Sequence, residues 1–285
     1  MKRMLVLIKN LDTSEKLIEY VLNLARDLHM SVQLHYVENP SQYPLGVTDL
    51  NEDAVAQLQK SLEDIIVKAG KQLAYQVNTI MRKISGRVIA EVTTAIGNEI
   101  TLLEEMVETN KIQMVMIEGH GSSSFTLKDE FANQIVRKIN CPIWVIPENS
   151  EYRPPVEIIY ANDYHEEDIA TLKKIIDLTR LLSPKITALH ITQNADFDLK
   201  IKNAGFQKML EIKTGYSNIK VTAFIENNGD NMVQIINGFA SRINASLIVV
   251  LKENKSFLER IFSTDSAEEI IEKACSPVLI YHTNK

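Results

Sequence analysis

Residues 113–147 read QMVMIEGHGSSSFTLKDEFANQIVRKINCPIWVIP. The stretch opens on an apolar run, 114–117, and passes into the glycine-serine turn Gly119-His120-Gly121-Ser122-Ser123-Ser124. Residues 129–139 then have helical character, and a second apolar run, 143–146, closes the stretch. Strand, turn, helix and strand in that order make one βαβ unit. The same plan returns near the C-terminus. Residues 246–251 are apolar, 265–274 are helical in character, and 278–281 are apolar again. Laying Pro142 on Pro277 brings the two copies into register. A unit repeated at that distance predicts a duplicated domain and directs the search for function to the places where the copies differ.

The 285 residues suffice for two domains of ordinary size, and 45% hydrophobic with 24% charged residues is a globular composition. A net charge of −6 argues against a nucleic-acid surface. The two cysteines, Cys141 and Cys275, fall at matching places in the two repeats. Each is expected in the core of its own half as a free, inert thiol, which points to a reducing, cytoplasmic setting. Nowhere is the chain apolar for the eighteen or so residues of a membrane span. The short run 4–8 near the N-terminus reads as a first strand, not as a signal peptide.

Taken in order, 4–8 is a buried parallel strand by composition. Asp12 followed by Glu15 has the spacing of a capping box, ahead of a helix with Leu17, Ile18, Val21, Leu22, Leu24, Ala25 and Leu28 on one face. Residues 32–37 form the second strand. Residues 51–84 lack proline and repeat apolar positions at three and four, which predicts a long helix bent at Gly70. A third strand at 88–92, a turn at Gly97-Asn98 and a helix over 99–109 follow, the helix with Ile100, Leu103, Met106 and Val107 inward. Residues 149–154 are polar with Pro154 at their end and read as a linker. The domains are therefore 1–148 and 155–285. The second repeats the order with strands at 157–161, 185–191 and 219–225 and helices at 166–182, 195–213 and 231–243.

Strands alternating with helices build a parallel sheet with helices on both faces. Ligands in such sheets sit beyond the carboxyl ends of the strands, where the strand order reverses. With the order 3-2-1-4-5 in each half, that crevice lies between strands one and four. Its walls are then 9–12 and 118–124 in the first half, and 162–165 and 252–256 in the second.

On these features the chain resembles a tandem universal stress protein, two Rossmann-like domains of HUP type in one chain. The resemblance rests on the two-copy strand–helix order, the closing Cys141-Pro142-Ile143-Trp144-Val145-Ile146, the loop Gly119-His120-Gly121, and Asn162-Asp163 after the first strand of the second half. It implies a cytoplasmic stress-response protein, often dimeric, in which some members bind ATP and others do not. Members that bind ATP resemble one another in a loop written G-x-x-G, nine residues, then G-S or G-T, with an acid after strand one for the adenosine end. Glycines there let backbone amides approach phosphates.

The chain departs from that pattern in both halves. In the first, Gly121 matches the second glycine, Glu118 stands in place of the first, and seven residues rather than nine separate Gly121 from Asp129. The G-S pair falls on Asp129-Glu130, and the acid after strand one is Asn10. In the second half that acid is present as Asp163, but the loop LKENKSFLERIF lacks a glycine and the pair falls on Thr264-Asp265. Carboxylates at a helix start would take the place of a phosphate and repel it. ATP is expected to bind weakly or not at all, and no other cofactor is expected.

The candidate binding residues are Asn10, Gly119, His120, Gly121, Ser122, Asp129, Asp163 and Thr264. The glycine-serine turn is either an amide nest for a small anion or a surface loop. Asp163 is either a ligand contact or the cap of the helix after it. His35 and His190 read as hydrogen-bonded strand histidines, because no spacing supplies further metal ligands. With no nucleophile–base pairing or P-loop lysine in view, the expectation is a non-enzymatic binding or scaffold protein without a metal. Its partner is an unidentified protein or small molecule, its halves form an intramolecular pseudo-dimer, and a homodimer is compatible with the pattern. The alternative is an adenine-nucleotide sensor with one altered, working site.

Overall fold

A computed structural model of the chain describes residues 2–42, 52–119, 130–192, 197–225, 232–251 and 276–282. Contacts divide the chain into two compact units. One comprises Met1–Glu118 with Arg137–Cys141, the other Gly119–Val136 with Pro142–Lys285.

In the first unit β1 (Arg3–Ile8) lies between β2 (Ser31–Glu38) and β4 (Ile112–Gly119), and β3 (Ile89–Ile96) pairs with β2. All these pairs are parallel, in the order β3-β2-β1-β4. Met4, Leu5, Val6, Leu7 and Ile8 are all buried, which is why β1 is apolar without alternation. β3 is paired on one side only among the described residues, and its residues are half-buried or exposed. Helices α1 (Glu15–Asp27), α2 (Glu52–Met81) and α3 (Glu99–Thr109) belong to this unit, and α4 (Glu130–Lys138), most of which belongs to the second unit, follows them in the expected chain order. The long stripe of α2 buries Leu62, Ala69, Leu73, Val77 and Ile80. The helix runs unbroken through Gly70, where a Cβ would lie 3.4 Å from Thr94 Cγ2.

Two local readings are corrected. The N-cap of α1 is Ser14, not Asp12. The Asn10 side chain accepts from the Asp12 N–H at 2.9 Å, closing a turn that delays the helix, and Asp12 Oδ1 instead accepts from Gln72 of α2 at 3.2 Å. In α3 only Ile100 and Leu103 are buried, while Met106 and Val107 are half-exposed. By contrast, the Gly97-Asn98 turn is as expected. Asn98 Oδ1 accepts from the N–H groups of Ile100 and Thr101, capping α3, and Gly97 has φ +154°.

The second unit holds β5 (Ile143–Pro147), β6 (Glu157–Ala161), α5 (Glu166–Thr179), β7 (Lys185–Thr192), α6 (Phe197–Thr214), β8 (Ile219–Ile225), α7 (Met232–Ile243), β9 (Leu247–Leu251) and β10 (Val278–Tyr281). Its strands stand in the order β5-β10-β9-β6-β7-β8. Counting from β6, the five strands of the second half are in the order 3-2-1-4-5 and parallel. β5 joins them antiparallel to β10, with Trp144 opposite Leu279. The helix expected at 265–274 lies outside the described residues.

Cys141 is buried and unbonded, with its Sγ 3.7 Å from the Ile112 carbonyl, and burial pushes its thiol up to about 12. Cys275 lies outside the described residues. In a Cys275→Ser variant, Cys141 should react with a thiol reagent at least tenfold more slowly in native protein than in urea. Equal rates would contradict its burial.

Candidate functional site at the carboxyl end of β6

The expected site residues separate sharply. His120, Gly121, Ser122, Asp129 and Thr264 lie outside the described residues. Gly119 ends β4, and its carbonyl accepts from the Glu148 N–H at 3.2 Å. Asn10 is exposed and forms the turn with Asp12. Asp163 is the one member of the set that the structure places in a built polar cluster.

That cluster grows from the turn Asn162-Asp163-Tyr164-His165, which links β6 to α5. Asp168, three residues after His165, accepts from three donors. Its Oδ1 takes the Tyr160 hydroxyl at 2.6 Å, and its Oδ2 takes the N–H of His165 at 2.9 Å and of Asp163 at 3.2 Å. The chain therefore enters α5 through a carboxylate inside the helix, not through Asp163 as a cap. Tyr160 and Asp168 are both buried. Burial raises the Asp168 carboxyl and the Tyr160 hydroxyl above their ordinary values, against the donors that favour the Asp168 carboxylate.

The bracket holds Tyr164 at φ +62°, a left-handed conformation that is costly for a bulky side chain. The Tyr164 ring lies 4.2 Å from the His190 ring, tilted by 39°, and meets Phe206 edge-on at 5.1 Å. Its hydroxyl donates to Asn203 Oδ1 of α6. Burial lifts that hydroxyl to about 12, so it remains a donor at neutral pH.

His190, near the end of β7, is the common neighbour. Its Nδ1 is 2.9 Å from the Asn162 carbonyl, which can only accept, so Nδ1 carries the proton. Asp163 Oδ1 stands 3.8 Å from the same nitrogen, close enough for attraction but too far for a hydrogen bond. The Asn162 side chain is 2% exposed, and neither its Oδ1 nor its Nδ2 has a hydrogen-bond partner among the described residues. His35 in the first unit is a different case. It is buried against Thr93 at 2.9 Å, and burial lowers its pKa.

Sequence reasoning missed Tyr164 and Asp168. Asp168 had a signal, a carboxylate three residues after the residue that precedes the helix, obscured because that residue is histidine. No sequence rule places a tyrosine at positive φ.

An open parallel sheet whose polar turn sits at the carboxyl end of its central strand defines the class of the molecule, a doubly wound α/β protein. The Universal stress protein family matches residues 1–147, and the chain belongs to that family. None of the curated proteins matches. A universal stress protein from Archaeoglobus fulgidus DSM 4304 is similar in structure, with 15% identity, 98% of this chain and 96% of that chain covered, and a TM-score of 0.63. A functionally unknown protein from Pseudomonas aeruginosa PAO1 is similar at 16% identity over 99% and 92%, TM-score 0.55. The cytoplasmic domain of a prokaryotic cation chloride cotransporter is similar at 13% over 98% and 94%, TM-score 0.56. At these identities the likeness is one of fold. Among the described residues no helix is long and apolar enough to cross a membrane.

Proposed function

We propose that the chain is a non-catalytic, cytoplasmic binding protein of the universal stress type, its halves two copies of one domain, with nucleotide crevices that have lost their grip on triphosphate. The observation that carries this reading is Tyr164. The protein's own ring stands beside Asp163, packed on His190 and Phe206 and tied to Asn203. The potential acid–base groups nearby are committed to structure. Asp168 receives three donors, and His190 Nδ1 donates to backbone. In the first half, Asn10 stands where an acid would hold adenosine. The strand order of β6–β10 supports the second copy, and the unbonded Cys141 fits a reducing compartment.

Calorimetry with ATP, with and without Mg²⁺, tests this. Wild type should bind at about 0.1 mM or more weakly, a binding energy of about 5.5 kcal/mol at most. Replacing Asp129 by glycine and Glu130 by serine should remove two charges that repel phosphate at the start of α4. It should tighten binding by about 1 to 3 kcal/mol, roughly five- to a hundred-fold. Micromolar binding by wild type would end the reading. It would favour the second one, an adenine-nucleotide sensor working through the second half, where Asp163 is retained beside the Asn162 amide, which has no hydrogen-bond partner among the described residues. In that case Asp163→Ala should abolish the binding.

A further inference from the structure

We propose that the outer edge of β3 is an interface between two copies of this chain, which pair antiparallel through it about a two-fold axis at Thr93. Among the described residues β3 and β8 are each paired on one side only, and the fold treats the two edges differently. In a parallel ladder a residue bonds the positions on either side of the one it faces, so backbone polar groups alternate between the two sides of a strand. The Ile186 N–H donates to the Asn218 carbonyl at 3.0 Å, and Ile186 faces Ile219. Ile219 and Val221 therefore turn their N–H and C=O groups away from β7. Gln207 of α6 closes that outer row. Its Oε1 accepts from the Val221 N–H at 2.6 Å, and its Nε2 donates to the Ile219 carbonyl at 2.9 Å.

The edge of β3 has no such guard. The Gly97 N–H donates to the Glu38 carbonyl at 3.0 Å, and Glu38 faces Ile96, so Ala90, Val92, Thr94 and Ile96 turn their polar groups away from β2. Among the described residues no side chain bonds this row. The strand is eight residues long, β-branched at Ile89, Val92, Thr93, Thr94 and Ile96, without proline, and Glu91 is its one charge. It lacks the devices that keep an edge single, and such an edge adds another strand.

The charge pattern says which strand. Outward-facing residues must meet outward-facing residues, so a two-fold axis passes through a residue. Placed at Thr93, it pairs Ala90 with Ile96 and Val92 with Thr94 and engages the whole outer row, with about eight hydrogen bonds. Glu91 then faces Ala95, and its own copy lies about 13 Å away along the strand, beyond the Debye length of about 8 Å. An axis at Val92 would bring the two Glu91 carboxylates within about 7 Å along the strand, and one at Thr94 would leave Ala90 unpaired. The same axis brings α2, whose Gly70 lies on Thr94, alongside its copy with the exposed Val67 and Tyr75. β5 and β10 already meet in this antiparallel, edge-to-edge manner.

Sedimentation equilibrium of the full chain tests this, and wild type should be a dimer at about 10 µM. Val92→Pro removes an outward N–H and leaves the ladder to β2 intact, so it should weaken association at least tenfold with an unchanged circular dichroism spectrum. A cross-link reads the register and serves if the proline variant does not fold. In a Cys275→Ser background, Thr93→Cys should form an interchain disulfide on oxidation, because the two positions face each other as a non-hydrogen-bonded pair with Cα atoms about 4.5 Å apart. Glu91→Cys in the same background should not. A wild type that is monomeric at about 100 µM would overturn the proposal. So would a dimer that survives Val92→Pro unchanged, or cross-linking as efficient at position 91 as at 93.

Discussion

Replacing Trp144 by alanine is expected to lower stability by about 3 to 5 kcal/mol, the range for emptying a large aromatic from a packed core. Trp144 is fully buried in β5, with Ile143, Val145 and Ile146 also buried, and it faces Leu279 across the antiparallel pair with β10. Few voids in a protein interior can relax enough to refill such a space. The indole N–H has no hydrogen-bond partner among the described residues. Phenylalanine at this position gives up bulk but also removes an unpaired donor, so Trp144→Phe should cost only about 1 to 2 kcal/mol. Urea unfolding followed by far-ultraviolet circular dichroism measures both. The chain has one tryptophan, so wild-type fluorescence reports this strand pair directly and should be blue-shifted in the native state. An alanine variant within about 1 kcal/mol of wild type would show that β5 is not packed as described.

The fold was legible because its signals are periodic. The run at β1 and the stripe on α2 follow from burial on both faces of a central strand and on one face of a helix, and neither depends on distant contacts. Gly97-Asn98 was legible too, since glycine and asparagine announce turns and caps by their own chemistry. The same logic failed at Asp12, where Asn10 closed a turn first and moved the helix start to Ser14. The candidate site was legible only at Asp163 and in the hydrogen-bonded character of His190. What surrounds them is set by tertiary packing. Tyr164, His190, Asn203 and Phe206 come from a turn, a strand and a helix, and no spacing in the chain foretells their meeting.

Asp168 is the residue on which that meeting depends, and its removal should have the second large effect. Asp168→Ala leaves the buried Tyr160 hydroxyl without its acceptor and releases the N–H groups of Asp163 and His165. The turn N–H groups can recover water, but the buried tyrosine hydroxyl keeps only the Thr171 side chain beside it, so the expected loss is about 2 to 4 kcal/mol. Tyr160→Phe should cost about 1 to 2 kcal/mol. The two losses should fall short of additivity when combined, because each variant breaks the same bond. The pH dependence separates burial from hydrogen bonding. Burial raises the folded-state pKa of Asp168, with the Asp163 charge adding to it and the three donors opposing it. A carboxyl whose folded pKa lies above its unfolded value holds its proton more tightly when folded. Its contribution to stability is then complete below about pH 4, the unfolded value, and is lost as pH rises through the folded pKa. Asp168→Asn abolishes that titration while keeping an acceptor for the turn. Its cost relative to wild type should therefore shrink from pH 4 to pH 7 in paired urea titrations. If the cost grows with pH instead, the three donors outweigh burial, and the carboxylate, not the neutral acid, is the form the fold selects.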